Sequence, residues 1–157
     1  MTETSQKQIQ TNYQLDGVIN DGKHDYHLRV QYEDTDAGGV VYHAQYLAFA
    51  ERARSAWLRC LDIDQPCLLS QEKQAFVVRH IDIDFLQAAA LGDVLSVTSE
   101  AAKIGGARVI LRQTITNVQF CLIVARLVVE IGFVNLQSAG GARAFRMPLD
   151  IRKKLAG

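Results

Sequence analysis

The sequence lacks an excess of charge of either sign. Its 157 residues include 17 Lys and Arg and 17 Asp and Glu, so the formal net charge at pH 7 is zero. Proteins that bind nucleic acid or a membrane surface usually carry a basic excess, at least in one stretch. The composition therefore disfavours both kinds of partner, and we expect neither.

The sequence also lacks the cysteine patterns of disulfide-rich and zinc-binding proteins. Cys60, Cys67 and Cys121 are odd in number, and none of them has CxxC or metal-ligand spacing. Disulfide frameworks are usually built from an even number of cysteines in an oxidising compartment. The pattern indicates free thiols in a reducing compartment, for which we predict the cytoplasm.

No apolar run predicts a transmembrane segment. The longest candidate, residues 120–134, contains Arg126 and Glu130 and is shorter than the ~20 residues that a membrane-spanning helix needs. We interpret it as a central strand buried on both faces of a sheet. Residues 1–10 are polar and Gln-rich, and they lack the basic start and apolar run of a signal peptide.

Neither an internal repeat nor a linker divides the chain, which is long enough to bury one core. Residues 1–25 contain few apolar side chains and two Gly-containing turn signals. We predict a disordered or weakly ordered tail over residues 1–25, in which Val18 and Ile19 could form a short edge strand. Residues 26–157 are predicted to form a single domain.

The periodicity of the apolar residues predicts the order of the elements. Alternation predicts a strand over residues 26–32, and apolar residues that repeat at about 100° per residue predict a helix over residues 43–61. Further strands are predicted near residues 77–85, 94–102, 108–115 and 120–134, and Gly105-Gly106 marks a hairpin. A short basic helix is predicted after Met147-Pro148.

This order predicts an α+β fold in which a curved antiparallel sheet wraps around one long central helix. βαβ units are disfavoured because no helices separate the late strands. The apolar helix face is predicted to comprise Tyr46, Phe49, Ala50, Ala53, Ala56, Trp57, Cys60 and Leu61. Such a fold leaves sheet edges and one sheet face exposed, so we expect a homodimer or a homotetramer.

The stretch at residues 32–46 carries more chemistry than a turn needs. It is Tyr-Glu-Asp-Thr-Asp-Ala-Gly-Gly-Val-Val-Tyr-His-Ala-Gln-Tyr. A chain reversal requires Gly and at most one Asp, whereas this stretch places two Asp, a Tyr and a His around Gly38-Gly39. We expect the functional site here, between the first strand and the helix.

Each residue of this stretch also has a purely structural explanation. Asp36 could accept hydrogen bonds from turn or helix-start amides, His43 could make a local hydrogen bond, and Tyr32 could be a core aromatic. On the helix, Glu51 is predicted to be an exposed residue paired with Arg54 or Ser55. The remaining turn and surface residues are predicted to be Glu33, Asp34 and Thr35.

The chemistry of this stretch suits hydrolysis of a thioester. Asp36, held at a Gly-Gly bend before a helix, could activate water as a general base or attack directly to form an anhydride. The helix start supplies unpaired N–H donors and a positive dipole end for an oxyanion. His43 could orient the carboxylate or protonate the leaving sulfur, Tyr32 could hydrogen-bond the carboxylate, and the glycines allow close approach of the backbone.

The same motif resembles the hot-dog-fold acyl-CoA thioesterases of the Tol–Pal-associated, YbgC-type branch of the 4-hydroxybenzoyl-CoA thioesterase superfamily. The resemblance continues through Ala-Phe-x-Glu-Arg-Ala-Arg at residues 48–54 and Phe-Val-Val-Arg at residues 76–79, and it covers most of residues 28–135. It implies a hot-dog fold assembled as dimers and often tetramers. It also implies hydrolysis of acyl-CoA thioesters without a metal or another cofactor.

The resemblance assigns roles to individual residues. The family's catalytic Asp falls on Asp36, and its assisting Tyr and His fall on Tyr32 and His43. The backbone donors that polarise the thioester carbonyl are expected near Tyr42 and His43. The predicted substrate-binding residues are Gly38, Gly39, Val41 and Tyr42.

The chain departs from the family pattern in places that concern the substrate and the assembly. Gln87-Ala88-Ala89-Ala90 stands where the family often has a Pro, residues 117–120 are less polar than expected of a turn, and the N-terminal tail is longer than usual. The sequence therefore does not determine whether the acyl group is a short- to medium-chain or an aromatic one. It also does not determine the carrier of the acyl group, which could be CoA or an acyl carrier protein.

Three functions are compatible with these observations. The first is an acyl-CoA thioesterase, and the second is a hot-dog hydratase or dehydratase that would use His43 with Glu51. The third is a non-catalytic acyl-binding or scaffold protein. No metal site is predicted, because the histidines have no ligand partners at useful spacing. Candidates for contact with CoA phosphates are Arg108, Arg112, Arg143 and Arg146.

Overall fold

The structure, a computed structural model, describes residues 15–137 and 139–157. Seven antiparallel strands form one sheet, and a long helix, α1 (His43–Cys60), packs on one face of it. The predicted α+β fold is confirmed. The disorder predicted for residues 1–14 lies outside the described residues.

The strands are β1 (Val18–Asn20), β2 (Lys23–Arg29), β3 (Gln74–Phe85), β4 (Val94–Ile104), β5 (Arg108–Asn117), β6 (Leu122–Asn135) and β7 (Arg143–Ala144). Their order across the sheet is β1-β2-β4-β5-β6-β3, and β7 pairs with β6. The connection that contains α1 joins β2 to β3 and therefore spans three intervening strands. Short helical turns, α2 (Gln65–Cys67) and Leu68–Glu72, follow α1, and α3 (Leu149–Ala156) ends the chain.

The core lies between α1 and the sheet. Apolar residues three and four positions apart bury one side of α1 against sheet residues such as Leu95, Val97 and Leu127. The buried α1 residues are Tyr46, Phe49, Ala50, Ala53, Arg54, Ala56, Trp57 and Leu58. Cys60 is exposed, unlike the prediction, whereas Leu61 is half-buried and packs against the core as predicted.

Arg54 is an exception to the apolar pattern, because it is a charged residue with only 6% of its surface exposed. Its guanidinium donates to Oε1 of Gln113 at 2.8 Å and pairs with Glu51. The Gln113 amide donates to the Ala50 carbonyl at 3.0 Å and to Oγ of Ser99 at 2.9 Å. A satisfied polar network therefore joins α1 to β4 and β5 inside the core.

The ordered sheet begins earlier than the predicted boundary at residue 26. Val18–Asn20 and Lys23–Arg29 form a hairpin, and β2 pairs with β4 from His24 to Arg29. The prediction of weak order was wrong for residues 18–20 and 23–25. Main-chain pairing with β4 needs no apolar side chains, so composition alone underestimated this segment, although the short edge strand at Val18 and Ile19 was expected.

Two other segments differ from the prediction. The first strand was expected to reach residue 32, but β2 ends at Arg29 and Tyr32–Asp34 forms a 3-10 turn. Along β6, Arg126 and Val128 are exposed while Leu127 and Val129 are buried. The strand is therefore not buried on both faces over this part, since no element of the described residues covers the outer face of the sheet there.

Candidate active site

The loop between the 3-10 turn and α1 is a tight, hydrogen-bonded hairpin. The Asp36 amide donates to the Val40 carbonyl at 2.9 Å, and the Gly39 amide donates to the Asp36 carbonyl at 3.0 Å. Thr35 and Val41 form an antiparallel bridge. Gly39 has a φ of 78°, a conformation that residues with a Cβ rarely adopt. The loop therefore has a defined shape that favours glycine at position 39.

The Asp36 carboxylate is anchored by this loop. Its Oδ1 accepts the Gly38 amide at 2.8 Å, which closes an Asx turn. A Cβ on Gly38 would lie 3.2 Å from that oxygen, so a larger residue would press on the carboxylate. Asp36 is exposed, and no ion pair involves it among the described residues.

Asp34 supports the loop from beneath and is only 1% exposed. Its Oδ2 accepts the Gln31 amide at 2.7 Å, and its carbonyl accepts the Tyr42 amide at 2.9 Å. Its Oδ1 is buried and has no hydrogen-bond partner in the described part of the chain. The prediction that Asp34 is a surface residue was therefore wrong, because it packs between the segments before and after the loop.

The first turn of α1 presents backbone donors. The Tyr42 amide donates to the Asp34 carbonyl, and the Gln45 amide donates to the Tyr42 carbonyl at 2.8 Å. No acceptor contacts the His43 and Ala44 amides within residues 15–137 and 139–157. Of the two donors expected at this helix start, the His43 amide is thus available and the Tyr42 amide is not.

A cleft of about 300 Å³ opens beside the start of α1. It is lined by Val41, His43, Tyr46, Phe85, Leu86, Gln87 and Ala88. The Phe85 ring lies 5.7 Å from that of Tyr46 and 6.4 Å from that of His43. The cleft therefore combines an apolar wall from the end of β3 with His43, the first residue of α1.

Tyr46 closes the inner side of the cleft and was predicted only as a core residue. Its hydroxyl accepts the buried Ala89 amide at 3.2 Å, and burial raises the pKa of Tyr46 above its usual value. The Val41 amide donates to the Ala89 carbonyl at 2.8 Å. Ala89 thus joins the loop after β3 both to the loop at residues 35–41 and to α1. Nothing in the sequence pattern indicates these long-range contacts.

The other predicted site residues lie around this loop. Tyr32 is 84% exposed, and its side chain makes no hydrogen bond to Asp36 among the described residues. His43 is exposed, with its ring 4.5 Å from that of Tyr42. The backbone amides of Gly38, Gly39 and Val41 all donate hydrogen bonds to other groups of the protein, as described above. Direct roles of these residues in binding or catalysis stay predictions.

Glu51 lies further along α1. It pairs with Arg54 and accepts a hydrogen bond from the Ser55 hydroxyl at 3.3 Å, which confirms its predicted pairing. The candidate CoA-phosphate residue Arg108 pairs with Glu130 at 3.2 Å. Arg112, Arg143 and Arg146 are exposed.

Residues 15–137 and 139–157 contain no group of three His, Cys, Asp or Glu side chains that could hold a metal ion. Among the same residues, no helix is both long and apolar enough to cross a membrane. All three cysteines are free.

Known proteins resemble this chain in both sequence and structure. Residues 38–119 match the family model described as the thioesterase superfamily. The acyl-CoA thioesterase YbgC of Haemophilus influenzae is 44% identical over 109 residues, which are 69% of this chain and 79% of that protein. The acyl-CoA thioester hydrolase YbgC of Escherichia coli is 44% identical over 61% of this chain and 71% of its own length.

Solved structures show the same fold. A 1,4-dihydroxy-2-naphthoyl-CoA thioesterase from Synechocystis superimposes with a TM-score of 0.79 at 24% identity, over 86% of this chain and 96% of that one. A 4-hydroxybenzoyl CoA thioesterase mutant complexed with 4-hydroxybenzoyl CoA gives a TM-score of 0.79 at 14% identity, over 85% and 99% of the two chains. At these identities the similarity concerns the fold alone.

The chain therefore belongs to the thioesterase superfamily, has the hot-dog fold, and is a thioester hydrolase. Within that superfamily it belongs to the YbgC-type branch. The family resemblance inferred from residues 32–54 is thereby confirmed.

Proposed function

We propose that this thioesterase hydrolyses a short- to medium-chain or aromatic acyl-CoA to the free acid and CoA at the start of α1. The observation that carries the proposal is that one hydrogen-bonded loop has a carboxylate at one end and backbone amides without acceptors at the other. Asp36 stands at one end of the loop, and the His43 and Ala44 amides stand at the other. The neighbouring cleft offers an apolar surface for the acyl group.

The His43 and Ala44 amides act as the oxyanion donors. They lie at the positive end of the α1 dipole, where a developing negative charge is stabilised. Because the other amides of the loop are used internally, the loop does not rearrange to form the oxyanion site. This is the preorganisation that makes such donors effective.

Asp36 acts as general base or as nucleophile. As a base, it takes a proton from water while the water oxygen bonds to the carbonyl carbon, and collapse of the oxyanion breaks the C–S bond. As a nucleophile, its oxygen displaces the thiolate to form an anhydride, which water then hydrolyses. In both routes the thiolate takes up one proton. A thiol pKa of about 8.5 makes it a tolerable leaving group, and we assign the supply of this proton to His43.

A second copy of the chain completes the site. The cleft is open on one side, where Phe85 is 51% exposed, and β3 pairs only with β6, so its other edge is free within the described sheet. A homodimer or homotetramer would cover both features. The substrate carrier is CoA or an acyl carrier protein.

The alternative hydratase function loses its main support. That reading uses Glu51 with His43, but the Glu51 carboxylate is occupied by Arg54 and Ser55. Two helical turns separate it from His43, about 12 Å at 1.5 Å per residue. No comparable observation favours a non-catalytic acyl-binding protein.

The test is thiol release from a panel of acyl-CoA substrates, followed with a thiol-trapping dye. We expect Asp36→Asn to lower kcat by about 10²–10⁴-fold, the usual contribution of a general base, with unchanged folding by circular dichroism. Asp82→Asn, an exposed carboxylate on β3, serves as the control. Equal activity of Asp36→Asn and wild type would refute the proposal, and single-turnover hydrolysis in labelled water distinguishes base from nucleophile.

A further inference from the structure

We propose that the Tyr46 hydroxyl donates a hydrogen bond to the carbonyl oxygen of the thioester, as a third donor beside the His43 and Ala44 amides. The proposal rests on the proposed hydrolysis at the start of α1 and adds a catalytic residue to that site. The sequence predicts Tyr46 only as part of the buried face of α1. In the structure, Tyr46 is also one of the residues that line the cleft beside the helix start.

Within the described part of the chain, the Tyr46 hydroxyl accepts a hydrogen bond but donates none. Its oxygen accepts the Ala89 amide at 3.2 Å. A phenol also carries one hydrogen that it can donate, and no acceptor for it lies among residues 15–137 and 139–157. Tyr46 is only 4% exposed, and a buried donor without a partner is unfavourable. The unpaired hydrogen therefore indicates a polar group that enters from the cleft.

Two contacts bring this hydroxyl level with the start of α1. Ala89 donates its amide to the Tyr46 hydroxyl, and its carbonyl accepts the Val41 amide at 2.8 Å. A single residue therefore separates the hydroxyl from Val41, which directly precedes the helix-start residues Tyr42 and His43. The direction of the side chain agrees, because the side chains of a helix lean toward its N-terminus. The hydroxyl thus approaches the same end of α1 as the unpaired amides.

The Tyr46 ring is held by its aromatic neighbours. It lies 6.1 Å from the Phe49 ring and 5.7 Å from the Phe85 ring, at interplanar angles of 77° and 63°. Aromatic rings favour such edge-on arrangements. Together with the Ala89 bond, these contacts hold the hydroxyl in place before substrate binds, which is the preorganisation that an oxyanion donor requires.

The Tyr46 phenol stays neutral and is therefore a donor. Burial raises its pKa, and the charge of Asp93 adds to this effect, whereas the hydrogen bond from the Ala89 amide opposes it. With a pKa above the usual value of about 10, the phenol keeps its hydrogen at neutral and mildly alkaline pH. The hydroxyl thus donates a hydrogen bond without transferring its proton, and the proton steps assigned to Asp36 and His43 are unchanged.

The carbonyl oxygen is the substrate atom that best matches this donor. The acyl chain has no acceptor, and the sulfur is a weak one. The carbonyl oxygen is a strong acceptor, and it gains negative charge as the tetrahedral intermediate forms. A hydroxyl at the positive end of the α1 dipole adds to the stabilisation of that charge.

Tyr46→Phe tests the donor because it removes only the hydroxyl. Loss of one oxyanion donor lowers kcat by about 10²–10³-fold, and we expect about 10²-fold because two amides remain. The loss should affect kcat more than KM, since the negative charge on oxygen exists only in the transition state. The matched control is Tyr26→Phe, at a half-buried tyrosine of β2, which should hydrolyse the same acyl-CoA within about twofold of wild type.

Two inert analogues separate contact with the carbonyl from a structural role of Tyr46. Hexyl-CoA is a thioether without a carbonyl, whereas in the matching ketone a methylene replaces the sulfur and the carbonyl remains. Titration calorimetry should show that Tyr46→Phe weakens binding of the ketone by about three- to tenfold, the effect of one hydrogen bond. Binding of hexyl-CoA should stay within about twofold. A shift of the loop after loss of the Ala89 bond would weaken both analogues alike and would overturn the proposal.

A second variant covers the case in which Tyr46→Phe does not fold. Tyr46→3-fluorotyrosine keeps the hydroxyl and makes it a stronger donor, so the carbonyl stretching frequency of the bound ketone should fall below its wild-type value. An unchanged frequency would overturn the contact, as would wild-type kcat in Tyr46→Phe. Failure of the wild type to hydrolyse any acyl-CoA would instead refute the proposed function.

Discussion

At the scale of single residues, buried polar groups organise this molecule. Asp34 is one example beside the site: its carboxylate accepts a hydrogen bond from the Gln31 amide, and its carbonyl accepts one from the Tyr42 amide. By using the Tyr42 amide, it leaves the next two amides of α1 as the unpaired ones. Arg54 does the same for the core by joining α1 to Gln113. Neither residue needs to contact substrate to affect the site.

His24 is a buried residue whose charge state affects stability. It is fully buried on β2, its Nε2 donates to the Asp16 carbonyl at 2.6 Å, and its ring is stacked with that of Trp57. Burial lowers the pKa of His24 below 6.5, against the opposing effect of the Asp16 carbonyl and of the Asp25 and Asp16 charges. Arg59 acts in the same direction as burial. The folded state therefore favours neutral His24.

We expect wild type to lose stability relative to His24→Gln as the pH falls below 6.5. The unfolded chain binds a proton at His24 there while the folded chain does not, so the unfolded state is favoured by up to about 1.4 kcal/mol per pH unit. Gln keeps a donor for the Asp16 carbonyl but does not titrate. Urea denaturation at pH 7.5 and 5.5 measures the difference, and parallel losses in both proteins would contradict it.

At the scale of elements, the site is a junction of two loops and a helix start. Val41 and Tyr46 both bond to Ala89, and Val40 bridges Ala90. The loop after β3 thereby holds the loop at residues 35–41 against α1. The hairpin shape of residues 35–41 depends in turn on the positive φ of Gly39.

Gly39→Ala should therefore reduce both stability and activity. A Cβ at this φ costs about 1–2 kcal/mol of folding free energy, and relief of that strain would move Asp36 relative to the His43 amide. Since a small misplacement of catalytic groups costs about 10²-fold in rate, we expect kcat/KM to fall by at least tenfold. Thermal unfolding and thiol release measure the two effects.

The control for this substitution is Gly106→Ala. Gly106 has no atom within 4 Å of an added Cβ and does not have a positive φ. It should change activity by less than twofold, on the principle that surface substitutions away from special features are nearly neutral. Equal losses in the two variants would show that Gly39 does not shape the site.

At the scale of the whole molecule, one sheet and the helices packed on it leave much apolar surface exposed. Phe85, Leu86 and Leu91 near the cleft are 51%, 43% and 51% exposed, and β3 has a free edge in the described sheet. Unpaired edges and apolar patches of this kind are usually covered by another copy. The cleft and the free edge are neighbours at the end of β3, so one interface can cover both.

Native mass measurement should therefore detect a dimer or a tetramer. Val78→Lys, at a position of edge strand β3 that is 45% exposed, should weaken the dimer because a charge would be buried in the interface. Lys103, an exposed residue of β4, offers a control as Lys103→Gln, which should leave the mass unchanged. A wild-type protein that is monomeric throughout would contradict the shared site.

The sequence by itself determined α1 within one residue, the core of β3 to β6, the α+β class and the motif that identifies the family. Those features follow from local periodicity and from residue types at fixed spacing. Only the tertiary structure decided that β2 begins at Lys23, that Asp34 and Arg54 are buried, and which amides of α1 are free. Each of these depends on partners distant in sequence, and a one-dimensional pattern does not specify which groups meet across the core.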